Sequence, residues 1–263
     1  MERHGRGKGK QRLLGSHQKC WIWGRNAVLE TLAAGRWEIL ELQLSAALEP
    51  GELERAQALA QRQGLAPRLA PPDSLTSLCR SSEHQGYLAR MTDFPYSPEE
   101  ETCAGLAQSP AVALLDSIQD PYNFGAILRS AEILGLHAVF IGEKEQVGVT
   151  SMVVRASAGA VNRIPVVRVS DIGALAARLK GRGLRLAAAS EKAERSVFEC
   201  DFKGPTAVII GNEGRGVGPE LLRLCDETVK IPQVGKIGSL NAAVAASLFF
   251  YEILRQRTVS GKG

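Results

Sequence analysis

The chain has 263 residues, of which 44% are hydrophobic, 23% charged and 5% aromatic. This is ordinary globular composition, enough for one large domain or two smaller ones, and it excludes a chain disordered over most of its length. The formal net charge is +4, but six basic side chains (Arg3, Arg6, Lys8, Lys10, Arg12, Lys19) against one acid (Glu2) crowd into residues 1–19, which excludes a strongly basic folded body.

Residues 1–19 read as a disordered basic tail, because a short Gly-rich basic segment cannot bury a core. Its cations suit either nucleic-acid phosphates or simple solubility. Residues 20–94 read as a small α/β unit. Within it, 24–32 is a helix with Val28, Leu29 and Leu32 on one face, and 39–44 alternates as a strand. A helix over 52–62 stops before Gly64, a short one starts near Asp73 after Pro71-Pro72, and 86–91 is a closing strand. Residues 95–110 hold Pro95, Pro98 and Pro110 around three glutamates and are assigned as a linker.

From 111 to 257 strands and helices alternate. The run 111–115 is continuously apolar, as a strand buried on both faces requires. Further strands are expected at 138–141, 166–169, 184–188 and 207–210. Helices are expected at about 124–134, 171–180, 219–224 and 239–257. The first carries an apolar stripe of Phe124, Ile127, Leu128, Ala131 and Leu134. The alternation implies an α/β layer on a mostly parallel sheet. Residues 258–263 form a C-terminal tail. No apolar run approaches the ~18 residues of a membrane span and no hydrophobic signal core opens the chain, so a cytoplasmic protein without membrane contact is expected.

The five cysteines are scattered and odd in number, and the four histidines show no ligand spacing. Reduced, buried thiols and no metal are expected. The phosphate-binding loop of P-loop enzymes and the dinucleotide fingerprint are both absent, which disfavours an oxidoreductase of the Rossmann type. Three loops remain, each at the end of a strand or the start of a helix, where α/β proteins place ligands. They are 116–125 with Asn123, leading to Arg129; 211–216 with Gly211 and Glu213; and 231–241 with Ile231, Ser239, Leu240 and Asn241. Singly, each has a bland reading. Asn123 and Ser239 suit helix N-caps, Glu213 a solvated loop and Arg129 an exposed helix face.

In this order the three loops resemble the motifs of the SpoU (TrmH-like) RNA 2′-O-ribose methyltransferase family, within the SPOUT superfamily. The matching residues are Asp120-Pro121-x-Asn123-x-Gly125-x-Ile127-x-Arg129-x-Ala131, Gly211-Asn212-Glu213-Gly214-x-Gly216, and Ile231-Pro232 with Gly235 and Ser239-Leu240-Asn241-x-x-x-Ala245. Gly24-Arg25-x-x-Val28-x-Glu30 and His84-Gln85-Gly86 are similar to the front domain of the ribosomal-RNA subgroup. One departure is Gln233, where relatives often carry Met; altered packing rather than lost activity is expected.

The resemblance implies a trefoil-knotted SPOUT methyltransferase domain at 111–257 behind a smaller L30e-like α/β domain at 20–94 that selects RNA. Knots are rare, and no periodicity reveals one. It further implies S-adenosyl-L-methionine as cofactor, with Gly211, Ile231 and Leu240 contacting it, and Asn123, Arg129, Glu213, Ser239 and Asn241 as catalytic residues. Glu213 would fix Arg129 or a loop amide, and Ser239 would fix the third loop. A homodimer is implied, and the last helix, with Leu248, Phe249, Phe250, Tyr251, Ile253 and Leu254, is too apolar all round for a one-sided surface helix. The substrate implied is RNA, a guanosine in 23S rRNA before tRNA, because simpler tRNA enzymes have only short extensions. A catalytically silent RNA-binding protein is the alternative of another class; the intact polar motif residues oppose it.

Overall fold

A computed structural model describes residues 13–14 and 20–260. The backbone divides into two compact units on either side of Pro95 and Tyr96.

The first unit contains β1 (Trp21–Trp23), α1 (Arg25–Ala34), β2 (Ile39–Ser45), α2 (Pro50–Arg62), β3 (Arg68–Ala70), α3 (Pro72–Cys79) and β4 (Tyr87–Met91). Its sheet runs β1-β4-β2-β3, with β4 antiparallel to β1 and β2, and β3 parallel to β2. Proline opens α2 and α3, where its missing N–H costs nothing. Gly35 ends α1 in the left-handed conformation. Ile22, Val28, Leu42, Leu44, Leu75 and Leu88 form the core. Trp37 packs edge-on against Phe94 at 5.1 Å and donates its indole N–H to the carbonyls of Thr92 and Asp93.

Most of the basic segment lies outside the described residues. Two members of it do not behave as free tail: Leu13 bridges Thr92, and Leu14 is buried with its amide on the Met91 carbonyl. Apolar side chains pull that stretch onto the sheet.

The second unit contains α4 (Glu99–Ala104), β5 (Ala111–Asp116), α5 (Pro121–Ile133), β6 (Ala138–Gly142), α6 (Ser151–Ala156), β7 (Val166–Val169), α7 (Ile172–Gly181), β8 (Arg185–Ala189), β9 (Thr206–Gly211), α8 (Pro219–Leu224), β10 (Glu227–Val229) and α9 (Ala242–Ser260). The sheet order is β10-β8-β9-β5-β6-β7 and every pairing is parallel. β5 and β9 are buried almost throughout, as helices on both faces demand.

The chain leaves β5 toward β6 and β7, then crosses back to β8 and β9. The strand order therefore reverses beside β5 and β9, and Asp116 at the end of β5 faces Gly211 at the end of β9. Such a switch point leaves a crevice at the carboxyl ends of the strands.

The residues assigned as a linker are not featureless. They contain α4, the Ser97 amide bonds the Val166 carbonyl, and Glu99 pairs with Arg178 of α7. α9 starts at Ala242 rather than 239, and it runs on through 258–260 instead of leaving a tail. Of the five free thiols, Cys103 and Cys225 are only half-buried.

Candidate active site

The first loop is held from its own backbone. Asp120 caps α5, its Oδ1 accepting from the amides of Tyr122 at 2.6 Å and Asn123 at 2.9 Å. Pro121 follows at the first helical position. The cap is thus Asp120, which frees the Asn123 side chain for other work. Gly125 faces α6: a Cβ there would lie 2.4 Å from the Ala156 Cβ. This glycine of the motif serves helix packing.

The second loop closes on itself. Asn212 and Gly216 exchange backbone hydrogen bonds, and Asn212 Oδ1 accepts from the amides of Gly214 and Arg215. A Cβ on Gly211 would meet the Gly216 carbonyl carbon at 2.1 Å, so only glycine permits this closure. The loop is tied to the first one through Asn212 Nδ2 on the Ser117 carbonyl and Gly218 N on Asp116 Oδ2.

The third loop ends at Asn241, whose Oδ1 accepts from the amides of Ala243 at 2.9 Å and Val244 at 3.3 Å. Asn241 therefore caps α9, the role that suited Ser239 on sequence. Ser239 is exposed and makes no hydrogen bond among the described residues.

The three loops meet in one chain of hydrogen bonds. Asn123 Nδ2 donates to Glu213 Oε1 at 2.8 Å, and Asn241 Nδ2 donates to Asn123 Oδ1 at 2.8 Å. The polarity is forced. An ionised Glu213 only accepts, so Asn123 must offer its NH2 there and its oxygen to Asn241. Asn241 must then offer its own NH2, which leaves its oxygen for the helix amides. These partners are 90 and 118 residues apart in sequence.

Arg129 stands outside this chain. It is exposed and has no hydrogen bond or ion pair among the described residues. Glu213 holds Asn123, not Arg129, which corrects one of the two roles expected for it. α5 and α9 are nonetheless joined next door, where the Ser130 and Ser247 hydroxyls lie 2.7 Å apart.

Beside the hydrogen-bond chain is a cavity of about 310 Å³, within the range of small-molecule sites. Gly211, Ile231 and Leu240 line it, with Glu213 and Ser239. Leu222, Val229 and Phe249 add apolar wall. Asn123, Arg129 and Asn241 are not among the lining residues. Sequence reasoning missed the segment 189–192, where Glu191 and Lys192 bring two charges to the cavity. The signal was present: it directly follows the carboxyl end of β8. Among the described residues no three His, Cys, Asp or Glu side chains gather as a metal site. None of their helices is long and apolar enough to cross a membrane.

A parallel α/β sheet with a cavity at the carboxyl ends of β8, β9 and β10, edged by a polar cluster open to solvent, defines a ligand-binding α/β protein. Comparison with known proteins gives the family. The profile described as the SpoU rRNA Methylase family matches residues 110–251. A second profile, RNA 2′-O ribose methyltransferase substrate binding, matches residues 21–97. The chain belongs to the SpoU rRNA methylase family. It is 32% identical over 250 residues to the TrmH-family protein YacO of Bacillus subtilis, covering 94% of this chain and 100% of that one. It is 34% identical over 246 residues to the 23S rRNA (guanosine-2′-O-)-methyltransferase RlmB of Xanthomonas axonopodis, covering 92% and 98%. Its fold matches the SpoU methyltransferase AviRb of Streptomyces viridochromogenes, crystallised with AdoMet, with a TM-score of 0.78 at 27% identity, covering 94% and 96%.

Proposed function

We propose that this protein methylates the 2′-hydroxyl of a ribose in RNA, using S-adenosylmethionine, and that its target is a guanosine of 23S rRNA. The observation that carries the reading is the hydrogen-bond chain Glu213–Asn123–Asn241 beside a cavity with apolar walls and charged edges. The cavity suits the cofactor: Ile231 and Leu240 offer apolar surface to an adenine, and Ser239 offers a hydroxyl with no partner among the described residues. When bound there, S-adenosylmethionine supplies a methyl group already activated by its sulfonium charge.

The residues of the chain have to place the ribose and ease the loss of its proton. Asn123 is locked on both sides, so it presents a fixed polar edge at low entropic cost. Arg129 is an exposed cation with no ion-pair partner among the described residues. A guanidinium is effectively always protonated, so Arg129 is no base. It clamps the RNA phosphate and stabilises negative charge that develops on the 2′-oxygen. Glu213 fixes Asn123 rather than taking part directly.

Four finer points belong to the same reading. The catalytic unit is trefoil-knotted, its C-terminal segment threading a loop. The enzyme is a homodimer: α9 keeps Val244, Leu248, Tyr251 and Leu254 exposed at 47, 42, 57 and 38%, while Phe249, Phe250 and Ile253 fill its own core. Catalysis is independent of metal. The protein works in the cytoplasm, on rRNA. The RlmB relative, which matches over nearly its whole length with the front unit included, supports rRNA over tRNA.

The test is ribose-methylation mapping of rRNA and tRNA from cells lacking the gene, with and without re-expression. Loss of one 23S rRNA guanosine methylation is expected. Loss at a tRNA position would move the substrate to tRNA, and an unchanged map in both RNAs would overturn the reading.

A further inference from the structure

We propose that Glu191 determines specificity for the methyl donor, its carboxylate accepting from the two ribose hydroxyls of the adenosine. This rests on the reading of the cavity as the cofactor site. Among the described residues, four charged side chains belong to the cavity wall: Glu191, Lys192, Glu213 and Arg215. Two of them are already engaged. Glu213 accepts from Asn123, and Arg215 Nη2 donates to Glu145 Oε2 at 2.8 Å. The side chains of Glu191 and Lys192 make no hydrogen bond or ion pair among the described residues. The turn that carries them is nonetheless fixed. The Ser190 amide bonds the Val229 carbonyl at 2.9 Å, the Ala193 amide returns to the Ser190 carbonyl at 3.2 Å, and the Lys192 amide meets Ser190 Oγ at 3.3 Å.

The place of Glu191 in the sheet says what it takes. β8 and β9 run parallel side by side, with Ala188 opposite Ile209. Glu191 and Asn212 each stand three residues beyond that pair, so the acid lies at the end of the strand next to the one that opens the glycine-rich loop 211–216. In parallel α/β sheets that bind adenosine, an acid beyond the first Gly-rich turn takes the ribose hydroxyl while the glycines let backbone approach the ligand. The glycine spacing here is different, but the juxtaposition of acid and glycine loop is the same. The chemistry agrees. An ionised carboxylate only accepts and has two oxygens, while a vicinal diol offers two O–H donors, so both bonds are charge-assisted. Lys192 has only donors and cannot take those protons. With an adenine against Ile231 and Leu240 of the third loop, the ribose hydroxyls are the donors left for an acid on this wall.

The experiment is calorimetric binding to the full chain, without RNA, of four ligands: S-adenosylmethionine, S-adenosylhomocysteine, and the 2′-deoxy and 3′-deoxy forms of S-adenosylhomocysteine. The unmodified protein should lose about tenfold in affinity for each missing hydroxyl. Glu191→Ala should weaken S-adenosylmethionine and S-adenosylhomocysteine alike, by about tenfold or more, and should no longer distinguish the deoxy ligands from the parent. Glu191→Gln, which keeps one acceptor and loses the charge, should fall between. Thermal melts of both variants should match the unmodified chain, because the side chain supports no bond in the fold. A deoxy penalty as large in the Ala variant as in the unmodified protein would overturn the proposal. So would a loss confined to S-adenosylmethionine, which would mean that the acid answers the sulfonium charge and not the ribose. If the unmodified protein binds none of the four ligands, the cofactor reading fails first and the proposal falls with it. If it binds the parent ligands and is indifferent to the missing hydroxyls, the cofactor reading stands and the proposal does not.

Discussion

The two units use their motif side chains differently. In the front unit the side chains of Arg25, His84 and Gln85 bond to backbone amides or to side chains outside the motifs. His84 Nδ1 accepts from Gly86 N at 3.0 Å, which puts the ring proton on Nε2, 3.1 Å from the Thr76 hydroxyl. Gln85 Oε1 takes the Arg25 amide, and a Cβ on Gly86 would sit 2.6 Å from Leu48. In the catalytic unit Asp120 and Asn212 also hold backbone, but Asn123, Glu213 and Asn241 bond to one another across loops far apart in sequence and stay at least partly open to solvent. In the first unit the motif side chains secure a turn and its neighbours; in the second, three of them join separate loops into one polar cluster.

That contrast gives unequal mutational effects. The largest belongs to Arg129, which makes no hydrogen bond or ion pair among the described residues. Arg129→Ala should lower kcat about 100-fold or more with cofactor affinity and Tm nearly unchanged. Lys should rescue poorly, since it lacks the planar fork. Steady-state kinetics on rRNA, calorimetry with S-adenosylmethionine and thermal melts check this together.

Gly211→Ala tests the opposite kind of residue, one in which structure and function coincide. The added methyl meets the Gly216 backbone at 2.1 Å. The second loop must open, at a cost of about 1–3 kcal/mol. Weaker cofactor binding and a lower Tm should appear together in calorimetry and melting. A normal melt with lost binding would mean that the glycine serves the ligand alone.

His84→Ala should be felt only as stability. It leaves the Gly86 amide and the Thr76 hydroxyl without their partner, worth about 1–3 kcal/mol when buried. Urea melts should show the loss, and cofactor affinity should not move. A shift in cofactor affinity would break the comparison.

The smallest effect concerns thiols in the catalytic unit, away from the cavity. Burial pushes Cys200 up to about 11, helped by its contact with Glu227. Burial, with Asp226 nearby, pushes Cys225 up to about 11 as well. The folded chain thus holds these protons longer than an unfolded thiol does. Their contribution to stability is full below the ordinary thiol pKa and is lost as pH rises toward about 11. At pH 8 both should react slowly with iodoacetamide in the native protein and quickly in urea.

Sequence made the strands of the catalytic sheet legible because a strand buried on both faces needs a continuous apolar run, as 111–115 shows. β1, β3 and β10 were illegible: three residues carry no alternation, and their pairing comes from neighbours. The start of α9 was misjudged because Ser239 and Asn241 are both good caps, and only the third dimension gives the helix to Asn241. Likewise the motif pattern singled out both Glu213 and Asn123 but not their pairing, which spans 90 residues. The cavity residues 189–192 follow no motif at all, only the general place of ligands in such sheets.

The central claim is that the cavity and the hydrogen-bond chain, which meet at Glu213, do different work, one for the methyl donor and one for the ribose. Asn123 belongs to the second and does not line the first. The direct measurement is Asn123→Ala in two assays on one preparation: calorimetric binding of S-adenosylmethionine, and single-turnover methyl transfer to rRNA. The account predicts cofactor affinity within about twofold of the unmodified enzyme and transfer slowed about 100-fold or more. Transfer at the unmodified rate, or a loss of cofactor affinity that accounts for the slower transfer, would contradict it.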